Sequence, residues 1–188
     1  MTSEPDLMLF VRVLLGVGLF VGLSAYLSAL WGAPWAPTPR RVREAMLHLA
    51  DIQPGERVVD LGAGDGRLVI DAARQYQADA TGVEIDPLRC LIAGGLVRLA
   101  GLRGQMRVIW GNLYNYDLRG VDVVLMYLLQ STNCRLWGKL ARELQPGARV
   151  VSRTFSLPNW TPAIIDDTNH IFVYHVVPEG TPIETRFV

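Results

Sequence analysis

The 188-residue sequence carries little that would hold a metal or close a disulfide. Its two cysteines, Cys90 and Cys134, have neither CxxC nor metal-ligand spacing and read as reduced thiols of a cytosolic domain. His48, His170 and His175 are scattered without ligand spacing, so no metal site is expected. Acidic and basic residues balance at 18 each, and no positive excess points to a nucleic-acid partner. Its glycine-rich turn is not followed by GK[ST], which excludes a phosphate loop. There is no internal repeat and no low-complexity segment.

Apolar residues, by contrast, are abundant: they make up half the chain, and much of the excess sits in the first 31 positions. VLLGVGLFVGLSAYLSALW, Val13 to Trp31, has no charge over nineteen residues. About 20 suffice to cross a bilayer as a helix. Arg12 can snorkel at one end, and Tyr26, Trp31 and Trp35 suit the other interface. Gly16, Gly18 and Gly22 are of a kind common in membrane spans. A cleaved signal peptide fits less well, because Glu4 and Asp6 replace the usual lysines and no clear A-x-A site follows. Residues 1–31 are therefore expected to be an uncleaved membrane anchor. Arg40, Arg41 and Arg43 beyond the run, against Arg12 before it, keep the remaining domain in the cytoplasm.

Residues 32–39, GAPWAPTP, form a proline-rich connector to a domain over 40–188. Thr38 and Pro39 read as N-cap and first position of a helix through RRVREAMLHLADI. RVVDLG, ADATGVEID, MRVIWGN, VDVVLMYLL and ARVVSRTF read as strands. GRLVIDAARQY, PLRCLIAGGLVRLAGL and CRLWGKLARELQ read as the helices between them. HIFVYHVV and TPIETRFV alternate as two further strands. The fold class is thus α/β, a parallel sheet covered on both faces with antiparallel strands added at the end. Ligands in such sheets bind beyond the carboxyl ends of the strands.

There lies Asp60-x-Gly62-x-Gly64-x-Gly66. A dinucleotide fingerprint would be G-x-G-x-x-G, but the third glycine comes one residue early, and Asp60 and Asp65 add negative charge. Carboxylates repel a pyrophosphate and suit the ammonium and sulfonium of S-adenosylmethionine. Glu84 ends the second strand, where a carboxylate can accept both ribose hydroxyls. Asn112 is placed to meet the adenine edge, with Ile85 or Leu113 packing on the ring.

From Pro37 onward the chain resembles the seven-strand S-adenosylmethionine-dependent methyltransferases with a Rossmann-like sheet. More narrowly, it resembles the small group containing the archaeal broad-specificity protein lysine enzyme and the mitochondrial ATP synthase c-subunit lysine methyltransferase. PTPRRVREAML (37–47), VVDLGAGDGRLVIDAA (58–73), GVEID (82–86), MYLLQSTN (126–133), LARELQPGARVVSRTF (140–155) and PNWTP (158–162) carry the likeness. It implies transfer of a methyl group to a protein lysine, with a hydrophobic amino-terminal segment for membrane attachment. Asn112 stands where many relatives have an acidic residue, and Arg153 where some have histidine.

A lysine nucleophile must first lose a proton, which at pH 7 costs about 4.6 kcal/mol from a pKa near 10.4. Tyr127, at the end of the fourth strand, could hold the amine by its hydroxyl or a cation–π contact, or be plain core. Asn133 could orient the amine through its amide oxygen or cap the following helix, and Trp160 could wall the slot or pack. Thr38 could reach the cofactor's carboxylate besides capping. The expected partner is a membrane-associated protein with an accessible lysine. The alternatives are a lipid or small-molecule acceptor at the bilayer surface, or a silent subunit of a membrane complex.

Overall fold

The computed structural model describes residues 8–16, 18, 19, 22, 36–102, 104–178 and 180–188. It divides into two compact units, Met1–Trp35 and Ala36–Val188. In the first, the described residues are helical. The expected membrane span, Val13 to Trp31, falls mostly outside the described residues. Among the described residues no helix is long and apolar enough to cross a membrane.

The second unit is an eight-stranded sheet in the order β3-β2-β1-β4-β5-β7-β6-β8. Its elements are α1 (Arg40–Leu49), β1 (Arg57–Leu61), α2 (Arg67–Tyr76), β2 (Asp79–Glu84), α3 (Pro87–Leu99), β3 (Met106–Trp110), β4 (Val123–Met126), α4 (Gln130–Glu143), β5 (Arg149–Arg153), β6 (Ile164–Asp166), β7 (Ile171–His175) and β8 (Arg186–Phe187). β1 to β5 run parallel, and β7 enters antiparallel between β5 and β6. The α/β sheet is therefore as the sequence predicts, with strand order reversing between β1 and β4.

Side-chain alternation along each strand splits the core in two. Val58, Val123, Leu125 and Val151 join Met46, Leu47 and Val69 on one face. Val59, Leu61, Val124, Met126 and Val150 join Leu136 and Leu140 of α4 on the other. Fully burying one such leucine contributes about 1.5–3 kcal/mol. α3 is capped by Asp86, whose carboxylate accepts from the N–H groups of Leu88 and Arg89 at 2.9 and 3.3 Å, with Pro87 in the first turn.

Several local expectations need correction. Pro39 itself is the N-cap of α1, and Thr38 caps nothing; its carbonyl accepts from Arg43 Nη1 at 2.8 Å. β4 ends at Met126, so Tyr127 to Leu129 form the crossing to α4. α4 begins four residues earlier than the cap-like run QSTN suggests, which puts Asn133 inside the helix and removes its capping role. β6 replaces an expected loop, and TPIETRFV shrinks to the two residues of β8.

Candidate active site

β1 ends at Leu61 and the backbone turns at once. Gly62, Gly64 and Gly66 hold φ of +89°, +58° and +76°, the left-handed region where glycine is at no steric disadvantage. The N–H groups of Gly62 and Ala63 both donate to the Val83 carbonyl, at 2.9 and 3.0 Å. A Cβ at Gly62 would lie 2.9 Å from Leu128 Cδ2, and one at Gly82 only 2.7 Å from Ala63 Cβ. The turn is thus pressed between the ends of β2 and β4. Gly82 is a site residue that motif reading passes over, although GVEID displays it.

The acids divide into different roles. Buried Glu84 accepts from Gly64 N–H at 2.7 Å with one oxygen and from Asp86 N–H at 2.9 Å with the other. A carboxylate oxygen has two lone pairs, so both retain capacity for a ribose diol. Asp60 is buried too, and burial, then the charges of Glu84 and Asp65, push its pKa up to about 8. It holds a proton at neutral pH until a cation arrives to favour the ionised form. Asp65 was expected to meet a cationic ligand, but it pairs with Arg67, whose Nε donates to Oδ1 at 2.8 Å. Among the described residues, Asp60 and Glu84 are the acids at the turn that no arginine or lysine engages.

On the far side of Glu84 the Ile85 carbonyl accepts from Trp110 Nε1 at 2.9 Å. Asn112 Oδ1 accepts from Tyr114 N–H at 2.9 Å, so one lone pair of the oxygen expected to meet adenine has a backbone partner. Leu113 is half-buried against the second core. Thr38 is buried, and Arg43, which bonds its carbonyl, also donates to Asp71 Oδ2 of α2 at 2.6 Å.

Beside the glycine turn lie the ends of β4 and β5, in register Met126 to Ser152. Just beyond, the Arg153 guanidinium carbon sits 4.4 Å from the Tyr127 ring centroid. Arg153 Nε is buried without a hydrogen-bond partner. Asn133 is fully buried: Nδ2 donates to Ser152 Oγ at 3.2 Å and to the Phe155 carbonyl at 3.0 Å. The Phe155 carbonyl only accepts, which fixes the amide's orientation and leaves Oδ1 enclosed without a partner. Asn133 therefore holds the segment after β5 and does not present its oxygen to an acceptor. Trp160 packs on Tyr174, centroids 6.0 Å apart, while the Tyr174 hydroxyl accepts from Leu157 N–H at 2.8 Å. Ser152 and Tyr174, which pin this side, carry no chemical signature in the sequence. Among the described residues no group of three histidines, cysteines or carboxylates could hold a metal ion.

The strand ends thus gather a proton-bearing acid, a ribose-ready carboxylate, a glycine cradle and an aromatic–guanidinium pair. A profile of the ANTKMT methyltransferase domain matches residues 60–164, from Asp60 to the start of β6. The chain belongs to this methyltransferase family. It is an S-adenosylmethionine-dependent methyltransferase, and the cradle fits that cofactor: spare lone pairs for a diol, buried acids for a cation. A protein-lysine N-methyltransferase of Saccharolobus islandicus strain REY15A is 36% identical over 152 residues, 78% of this chain and 94% of its own. The mouse adenine nucleotide translocase lysine N-methyltransferase is 34% identical over 158 residues, 81% of this chain and 67% of its own. Among solved structures, an RNA methyltransferase from Salinibacter ruber in complex with S-adenosyl-L-homocysteine has TM-score 0.73 and 38% identity. That match covers 79% of this chain and 98% of the other.

Proposed function

We propose that this methyltransferase acts on the side-chain amine of a lysine in a membrane-associated protein. The observation that carries the reading is the Tyr127–Arg153 pair at the end of β4, next to the turn that Leu128 presses against Gly62. The names of the archaeal and mouse relatives support a lysine acceptor.

S-adenosylmethionine, when bound, supplies an activated methyl group. Thr38, Asp60, the three glycines, Glu84, Ile85, Asn112 and Leu113 bind and orient it, with Asp65 steadied by Arg67. The acceptor amine must arrive neutral, against a free-energy cost of about 4.6 kcal/mol at pH 7. The Arg153 guanidinium beside Tyr127 disfavours an ammonium there and so lowers the amine's pKa. Tyr127 orients the amine, Trp160 walls the slot, and Asn133 positions the end of β5 through Ser152 and Phe155. With the methyl group already activated by the cofactor's sulfonium, the part left to these residues would be to present the neutral amine, so positioning dominates catalysis.

The apolar run 1–31 would anchor the protein in the membrane, with 32–39 as connector and 40–188 in the cytoplasm, the side favoured by Arg40, Arg41 and Arg43. The test is incubation of the full chain in detergent with methyl-labelled S-adenosylmethionine and membranes from cells lacking the protein. Label should enter protein and vanish with Asp60→Ala. Self-labelling is confined to Lys139, the chain's one lysine, which is held by Glu143 at 2.6 Å. Label only in lipid, or only in RNA as the Salinibacter ruber relative's name suggests, would overturn the lysine reading.

A further inference from the structure

α3 is built inside out. It turns Ala93 and Val97 inward, and Ala93 fits so closely that a Cβ on Gly66 would come within 3.2 Å of it. Its large apolar side chains point outward: Leu91 is 74% exposed, Leu99 87%, with Ile92 and Leu96 on the same stripe. At the carboxyl end of the neighbouring edge strand β3, Trp110 is 70% exposed, its N–H engaged by the Ile85 carbonyl. A contiguous stripe of this kind marks an interaction surface on a soluble domain.

Charge identifies its occupant. From Pro87 to Trp110 the sequence holds four arginines and no aspartate or glutamate, although the whole chain is balanced at 18 and 18. Arg98 is exposed on α3, beside Leu99. Arg89 is largely buried against Asp86, and Arg107, though exposed, pairs with Asp79 at 3.8 Å and donates to Thr81 Oγ1 at 3.1 Å. Arg103 belongs to the same run in sequence. Exposed leucines beside exposed Arg98, with an indole at the border and no acidic residue between Pro87 and Trp110, suit a helix lying in the headgroup layer of an acidic bilayer.

We infer that the α3–β3 edge is a membrane-docking face that lies on an anionic lipid surface and orients the domain there. The inference rests on the membrane setting proposed above, yet names a second, independent contact with the bilayer. It also sets geometry: Glu84 pairs with Trp110 across β2 and β3, so the ribose side of the cradle lies next to the docked edge.

The test uses the full chain, with Cys90→Ser and Cys134→Ser, reconstituted into lipid nanodiscs. A spin label is placed at Leu99→Cys or, as a control on α4, at Arg142→Cys. Collision with oxygen, which partitions into lipid, is compared with collision with a water-soluble nickel complex. In discs containing phosphatidylglycerol the oxygen-to-nickel ratio should be several-fold higher at position 99 than at 142. It should fall to the control value with Arg98→Glu or in pure phosphatidylcholine. A label at 99 open to nickel in acidic discs would overturn the inference. So would a label shielded from both oxygen and nickel, the mark of a protein cover. If the chain stayed with acidic discs but left phosphatidylcholine discs, the anchor reading would fail and the docking face would stand. Loss from both would overturn both.

Discussion

Asp60 decides how the cradle responds to pH. Its ligand-free carboxyl titrates at about 8 because it is buried beside Glu84 and Asp65, whereas an unfolded aspartate titrates near 3.8. The folded, cofactor-free protein therefore binds a proton that the unfolded chain has lost between those values. This group makes stability fall as pH rises through that window. A bound sulfonium and ammonium favour the ionised form, so cofactor binding releases the proton below about pH 8. S-adenosylmethionine affinity should rise by up to about tenfold per pH unit as pH approaches 8 and then level. Calorimetric titration in buffers of different ionisation enthalpy should detect proton release that Asp60→Asn abolishes. A flat affinity between pH 6 and 8 would contradict this assignment. At the residue scale the sequence displayed this acid and the three glycines, because their chemistry is written in residue type. It did not display that Asp65 is taken by Arg67, since both residues sit in one motif and only the folded turn brings their charges together.

At the scale of elements, the junction between β4, α4 and β5 carries the acceptor side. α4 starts at Gln130 because tertiary packing of Thr132, Asn133 and Leu136 outweighs the preference of Ser, Thr and Asn for cap positions. That override is why the helix start and Asn133's role were illegible, although both flanking strands were plain. The amide now ties Ser152 and Phe155 from within the helix. Asn133→Ala should lower stability by about 1–3 kcal/mol by leaving buried polar groups unpaired. It should reduce kcat while cofactor affinity stays near wild type, because the bonds lie on the acceptor side. Asn133→Asp is informative, since it keeps an oxygen but cannot donate to the Phe155 carbonyl. The positioning role predicts that Asp fails as badly as Ala in steady-state assays; retention of kcat by Asp would instead show direct contact of the oxygen with the amine. The faces of α3 were not legible: the sequence marks the segment as a helix, and only the fold reveals that Ala93 and Val97 turn inward while Leu91 and Leu99 stay exposed.

Across the whole molecule, the parallel α/β sheet was legible from alternating helices and strands, and the strand order, which only the structure supplies, places the cradle where that order reverses beside β1. The late strands were less so: β6 is three residues long, too short to show the alternation by which a strand is read, and it forms by pairing with β7 across the turn at 167–170. The docking face proposed above, an apolar edge carrying Arg98, lies beside that cradle. The central claim is that this cradle delivers a methyl group to a protein lysine. Its most direct test is amino-acid analysis of the labelled protein fraction, with wild type and Glu84→Gln compared at equal, folded concentrations. Label should be recovered as methylated lysine with wild type, and cofactor binding and label should be lost together with Glu84→Gln. Label recovered on any other residue, or undiminished in Glu84→Gln, would contradict it.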